Sequence, residues 1–251
     1  MGGAARNERR RKQQEAADKL AAAGIDTGKR SSGPNRTGLI VVAAVVVIAL
    51  VIGGFVLWSR SGTSEPVAAT YPVELSGAVV TAGTGPVTVD VYEDFLCPQC
   101  ERFEERYGDE ITTALNEGRV TVRYHAISIL DRLTDPAGYS TRAANAALCS
   151  ASAGIFPAYH ERLFDEQPAE GGSGLTDEQL IAFGTELGAG PDFAACVTGG
   201  THTAGIASGT QAAATDPALQ TNGTFGTPTV AVGGQKIDLN NTGWLQDAIA
   251  G

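Results

Sequence analysis

The chain has 251 residues, a formal net charge of −10, 43% hydrophobic residues and four cysteines. That length suits one medium domain with appendages, or two small domains. Nine Lys/Arg face four Asp/Glu before position 39, and nine face 24 after position 58; the acidic C-terminal part argues against nucleic-acid binding there, because phosphates would be repelled.

Residues 1–38 read as a basic cytoplasmic tail. "RNERRRKQQEAADKLAAAG" is rich in helix formers and ends at Gly24, a natural C-cap. Its charges either touch anionic headgroups or only set topology. Next comes "LIVVAAVVVIALVIGGFVLW", Leu39 to Trp58, with no charged residue and no proline. As a helix it spans roughly 30 Å, the thickness of a bilayer's hydrocarbon core, and Trp58 fits an interfacial anchor. The basic tail before it and the single nearby Arg60 after it place the N-terminus in the cytoplasm and residues beyond 58 outside the cell membrane. A cleaved signal peptide is the rival, with "PVAAT" as a weak cleavage-like site, but its leader and apolar core would be shorter.

Residues 59–71 read as a tether of small and polar residues, and residues 72–251 as the folded domain. Ala78–Gly83 and Pro86–Glu93 are expected strands, rich in β-branched residues and joined by Gly and Pro. "DFLCPQC" follows, carrying Cys97 and Cys100. The segment from Cys100 to Gly118 predicts a helix, with Phe103, Tyr107, Ile111 and Leu115 at four-residue steps. "RVTVRYHAISIL" alternates like a strand. From Asp131 to about Asn222 the pattern is helical, weakest over "GTHTAGIASGTQAAAT", whose glycines lower helix propensity. "TPTVAVGGQKID" predicts a hairpin turning at Gly233–Gly234, and "TGWLQDAIA" a last helix. The order is β-β-α-β, a helical block, then β-β-α.

The two thiols of "CPQC" can bind a metal, form an inert bridge, or cycle between dithiol and disulfide. An ordinary thiol is only about 3% ionised at pH 7. At a helix N-terminus a thiolate gains free N–H donors and the positive end of the dipole. Cys97 stands where strand gives way to helix, so it is the expected exposed nucleophile. Pro98 suits the first helical turn. Cys100, further in, is expected to be more buried and to attack a mixed disulfide at Cys97. A zinc site needs about four ligands, and neither Cys149, Cys196 nor the three histidines lie at metal-ligand spacing. No metal is expected. Thr227–Pro228 stands at the entrance of a late strand, where proline is awkward. It is either an edge-strand proline or a cis bond packed opposite the active site, leaving the Thr227 backbone open to an extended substrate.

"CPQC", "GTP" before a late hairpin, and helices inserted between them resemble the DsbA-like thiol–disulfide oxidoreductases of the thioredoxin superfamily, over roughly Val73 to the end. The resemblance implies an α/β thioredoxin fold with a helical insertion, Cys97 as nucleophile and Cys100 as resolving thiol. It also implies a cis-Pro loop at Thr227–Pro228, with Pro98, Gln99, Thr227 and Pro228 meeting the substrate. The implied substrates are thiols of secreted or envelope proteins, with a quinone-linked membrane oxidase to reoxidise the pair and no diffusible cofactor. Strongly oxidising members often carry His where Gln99 stands, which implies a less favoured thiolate here. Running the same site as a reductase or isomerase is the first alternative, and a non-catalytic binding module with a frozen CxxC bridge the second.

Cys149 and Cys196 fall in the helical block. An extracytoplasmic setting permits a structural disulfide between them; buried free thiols are the alternative. Glu93 reads either as a carboxylate moving a proton to or from Cys100 or as an ordinary strand-end residue. The histidines read as structural.

Overall fold

The computed structural model describes residues 67–251. The expected basic tail (1–38), the expected membrane span (39–58) and most of the tether (59–71) lie outside the described residues. Among the described residues no helix is long and apolar enough to cross a membrane.

Among the described residues, six strands form one sheet in the order β1-β2-β4-β3-β5-β6. They are β1 (Val73–Ser76), β2 (Val79–Gly83), β3 (Val87–Glu93), β4 (Val120–Ala126), β5 (Thr229–Val232) and β6 (Gln235–Lys236). Only β3 and β4 run parallel; they are joined by helix α1 (Pro98–Asn116), which supplies the crossover a parallel pair requires. The other neighbours are antiparallel. The β5–β6 hairpin turns through Gly233 and Gly234 at φ +59° and +79°, the left-handed pair that a tight two-residue turn demands.

Between β4 and β5 stand five helices: α2 (Tyr139–Ser152), α3 (Phe156–Asp165), α4 (Asp177–Glu186), α5 (Pro191–Gly199) and α6 (Thr203–Thr215). Helix α7 (Trp244–Ala250) closes the chain. α4 starts on a reciprocal capping box in which Thr176 and Gln179 satisfy each other's backbone N–H groups. This is the expected α/β architecture with a helical insertion.

Two elements differ from expectation. β1 was not anticipated, although "VELS" alternates: Val73 and Leu75 pack against the core while Glu74 and Ser76 are exposed. α6 forms despite its glycines, because Ile206 and Ala213 are buried. Gly205 lets that helix approach closely, since a Cβ there would stand 3.0 Å from the Ala78 side chain.

The main core lies on one face of the sheet. Val80, Val89, Val91, Val122 and Val230 meet Phe103, Ile111 and Leu115 of α1 there, with Trp244 and Leu245 of α7. The i, i+4 spacing read from the sequence thus becomes the buried stripe of α1. A smaller cluster, Ile127, Ala213, Leu219 and Ala231 with Tyr92 and Phe225, forms separately. Cys149 on α2 and Cys196 on α5 are joined by a disulfide across 47 residues of sequence. Beside it the buried Asn145 amide donates to the Val197 carbonyl at 3.1 Å and accepts from the His202 amide at 2.9 Å, tying α5 and the start of α6 to α2.

Candidate functional site

Strand β3 ends at Glu93 and α1 begins at Pro98, so the parallel strand delivers its C-terminal end directly to a helix N-terminus. Cys97 is the N-cap of α1 and Pro98 occupies the first helical position, where a missing N–H leaves no gap in the helix ladder. The Cys97 carbonyl accepts from the Cys100 and Glu101 amides at 2.9 and 3.2 Å. Asp94 braces the loop. Its carboxylate accepts from the Leu96 amide and from the Leu130 amide, each at 3.0 Å, locking the loop to the segment after β4. Burial lifts Asp94 to about 6, with those two amides holding it from rising further.

Both thiols are free and buried. The hydrogen bond from the Cys100 thiol lowers Cys97 most, to about 6; burial opposes this, while Thr227 and the Cys100 and Gln99 amides add to it. The lowering is achieved with no positive side chain at position 99. Cys100 moves the other way. Burial pushes its thiol well above the ordinary range, helped by the hydrogen bond it gives to Cys97 and by the negative charges of Cys97 and Glu93.

Across from Cys97 lies the segment before β5. The Thr227–Pro228 bond is cis, and Pro228 immediately precedes the ladder that β5 shares with β3. The Cys97 thiol donates to the Thr227 carbonyl at 3.3 Å, and the Thr227 hydroxyl has no hydrogen-bond partner. Sequence reasoning thus placed Cys97, Cys100, Thr227 and Pro228 in one site, and the structure brings them together. Pro98 is half-buried and Gln99 is exposed beside them.

One expectation needs correcting. Cys97 was read as an exposed nucleophile, but only 6% of it is accessible. The Thr227 carbonyl roofs the sulfur, and sequence spacing gives no warning of a contact 130 residues away.

Two further groups belong to the site's surroundings. Gln167, just beyond α3, donates through its side-chain amide to the Phe95 carbonyl at 3.1 Å and the Cys97 carbonyl at 3.2 Å. Glu93, far from being an ordinary strand-end residue, is 1% exposed and bonded to His160 of α3. Burial alone would push His160 down; the charge and hydrogen bond of Glu93 overturn that and raise it. Phe95, Tyr124, Phe156 and Phe164 surround its ring at centroid distances of 5.0 to 5.7 Å. Gln167 and the His160 partner of Glu93 had no local signal, because each contact spans some 70 residues of sequence.

The geometry can be set beside known proteins. A family model described as thioredoxin (Thioredoxin_4) matches residues 78–249. The serine/threonine-protein kinase PknE of Mycobacterium tuberculosis is 31% identical over 202 residues, which cover 75% of this chain and 35% of the kinase. The chain thus spans about a third of the length of the curated relatives it matches. Among solved structures, the reduced disulfide bond oxidoreductase DsbG of M. tuberculosis is 30% identical, with a TM-score of 0.56 over 74% of this chain and 83% of that one. Oxidised DsbA of M. tuberculosis is 30% identical, with a TM-score of 0.58 over 71% and 90%. The thiol-disulfide oxidoreductase MdbA of Corynebacterium diphtheriae, at 21% identity and a TM-score of 0.62 over 73% and 96%, shares the fold.

Proposed function

The chain belongs to the thioredoxin family, and we propose that it is a thiol–disulfide oxidoreductase of the DsbA type that forms disulfides in secreted or cell-envelope proteins through Cys97 and Cys100. The observation that carries this direction is the division of labour between the two sulfurs. With Cys97 lowered to about 6, roughly nine-tenths of it is thiolate at pH 7. Stabilising that thiolate stabilises the reduced pair, and a stabilised reduced form makes a stronger oxidant.

In this reaction a substrate thiolate attacks the Cys97 sulfur of the Cys97–Cys100 disulfide. The S–S bond breaks, and Cys100 leaves as a thiolate that takes up a proton, as its raised pKa favours. The second substrate thiolate then attacks the substrate sulfur of the mixed disulfide and expels Cys97 as a stable thiolate. Two electrons pass from substrate to enzyme, which ends as the dithiol. Thr227 and Pro228 guide the substrate segment, with Pro98 and Gln99 on the facing side. Leu39–Trp58 anchors the domain outside the cell membrane and contacts lipid, and a quinone-linked membrane oxidase restores the disulfide. The Cys149–Cys196 bridge supports an extracytoplasmic setting, since such bonds persist in oxidising compartments.

The reduction potential of the full-length protein, measured against a glutathione buffer, tests this reading. A value well above that of the glutathione pool is expected. A strongly reducing value would convert the assignment to a reductase. A Cys100→Ala variant that accumulates no mixed disulfides through Cys97 would leave only a binding module.

A further inference from the structure

Behind the reactive loop, Glu93 belongs to a buried polar cluster. One carboxylate oxygen each from Glu93 (end of β3) and Glu104 (α1) and one ring nitrogen of His160 (α3) all lie within 4.8 Å of one another. Glu93 is 1% exposed and His160 6%. The imidazole Nε2 meets one Glu93 oxygen, which leaves two buried oxygens, Glu93 Oε2 and Glu104 Oε1, without any hydrogen-bond partner. A buried unpaired carboxylate oxygen ordinarily costs about 1–3 kcal/mol or more. Two carboxylates that approach one imidazole, each with an unpaired buried oxygen, describe a place that a cation would satisfy.

We propose that Glu93, Glu104 and His160 form a binding site for a divalent transition-metal cation of the zinc class. The donor set, two carboxylates and one imidazole, suits such an ion, whereas magnesium and calcium favour oxygen donors alone. Tetrahedral zinc at bond lengths of about 2.0–2.2 Å needs donors roughly 3.4 Å apart, which side-chain shifts of about 1 Å would bring about. Three protein ligands and one water complete the coordination. A dication at the centre would displace to solvent the proton shared by His160 and Glu93, replace their hydrogen bond and take one oxygen of each carboxylate. Its surroundings are suitable: the rings of Phe95, Tyr124, Phe156 and Phe164 exclude competing water around His160. Exposed Glu161, whose charge is felt by both His160 and Glu104, offers an attractive lip toward solvent. The three ligands come from three separate elements, so no ligand spacing in the sequence announces them.

The full-length protein, stripped with a chelator and oxidised at Cys97–Cys100 so that no thiolate competes, is titrated with zinc chloride against a chromophoric chelator. One equivalent is expected to bind. Glu104→Gln and His160→Gln are each expected to weaken it at least about tenfold. Glu104 is the less buried of the two, so Glu104→Gln is the decisive variant, its fold checked by thermal melting. Cobalt in place of zinc is expected to show d–d absorption without a sulfur-to-metal band. No uptake by the oxidised protein would overturn the site. So would unchanged affinity in a folded Glu104→Gln variant, a sulfur-to-cobalt band, or displacement by an equal concentration of magnesium.

Discussion

Gln167 holds the backbone of Cys97: its side-chain amide donates to the Cys97 carbonyl at 3.2 Å and, through the same nitrogen, to the Phe95 carbonyl at 3.1 Å. The helical insertion therefore grips the loop that carries the reactive sulfur. Gln167→Ala removes both bonds and is expected to cost about 1–2 kcal/mol in denaturant unfolding, with a several-fold slower turnover of a dithiol peptide. Gln167→Glu places an acceptor against two carbonyl oxygens and is expected to be worse on both measurements.

The lowered Cys97 thiol has a pH signature. Alkylation of the reduced protein by iodoacetamide is expected to rise through a midpoint near 6, where Cys97 is placed by its partners, rather than near 8.5 as for an ordinary thiol. The sign for stability follows by linkage. The folded pKa lies below the unfolded one, so the contribution is complete above the unfolded value of about 9 and is lost as pH falls through about 6. Reduced protein should thus gain stability over Cys97→Ser as pH rises between those limits. Above pH 9 the buried Cys100 thiol works in the opposite direction.

The Thr227 hydroxyl is unpaired beside the Cys97 thiol and is free to donate once the thiolate forms, which helps to lower Cys97. Thr227→Val keeps the backbone and nearly the same volume but deletes that donor. The alkylation midpoint of Cys97 is expected to move up, with little change in melting temperature. An unmoved midpoint would leave the effect to the Cys100 thiol and the amides of α1.

The Cys149–Cys196 bridge closes a separation of 47 residues, for which the chain-entropy estimate gives about 4 kcal/mol. The double variant Cys149→Ala/Cys196→Ala should lose stability on that order in chemical denaturation. Because the bridge lies in the insertion rather than at the reactive loop, the alkylation midpoint of Cys97 in the folded fraction should stay where it was.

Gly184 in α4 tests the packing beneath that bridge. A Cβ there would fall 2.1 Å from the Phe193 ring of α5. Alanine gains roughly 1 kcal/mol in helix propensity, but forcing the two helices apart costs typically 1–3 kcal/mol or more. The clash wins, and Gly184→Ala is expected to lower the melting temperature.

Much of this site could be read before any coordinates. Cys97, Pro98 and Cys100 announce a strand-to-helix turn through local chemistry, and Gly233–Gly234 announces a hairpin because only such residues adopt its backbone angles. Thr227–Pro228 was legible as an anomaly, a proline where a strand ladder begins. What stayed hidden depends on partners far along the chain. Gln167 looks like any polar residue after a helix, and Glu93, Glu104 and His160 meet only because β3, α1 and α3 converge. The burial of Cys97 belongs to the same class: exposure is set by what folds over a residue, and the Thr227 carbonyl arrives from the segment before β5, far along the chain.

That covering carbonyl also sets terms for any client. With 6% of Cys97 in contact with solvent, an approaching thiol must come on a thin, pliable stretch of polypeptide, because a cysteine seated on a rigid convex surface would stop short of the sulfur. Under the proposed activity, an unfolded chain bearing a cysteine is therefore expected to react with Cys97 faster than the same chain once folded.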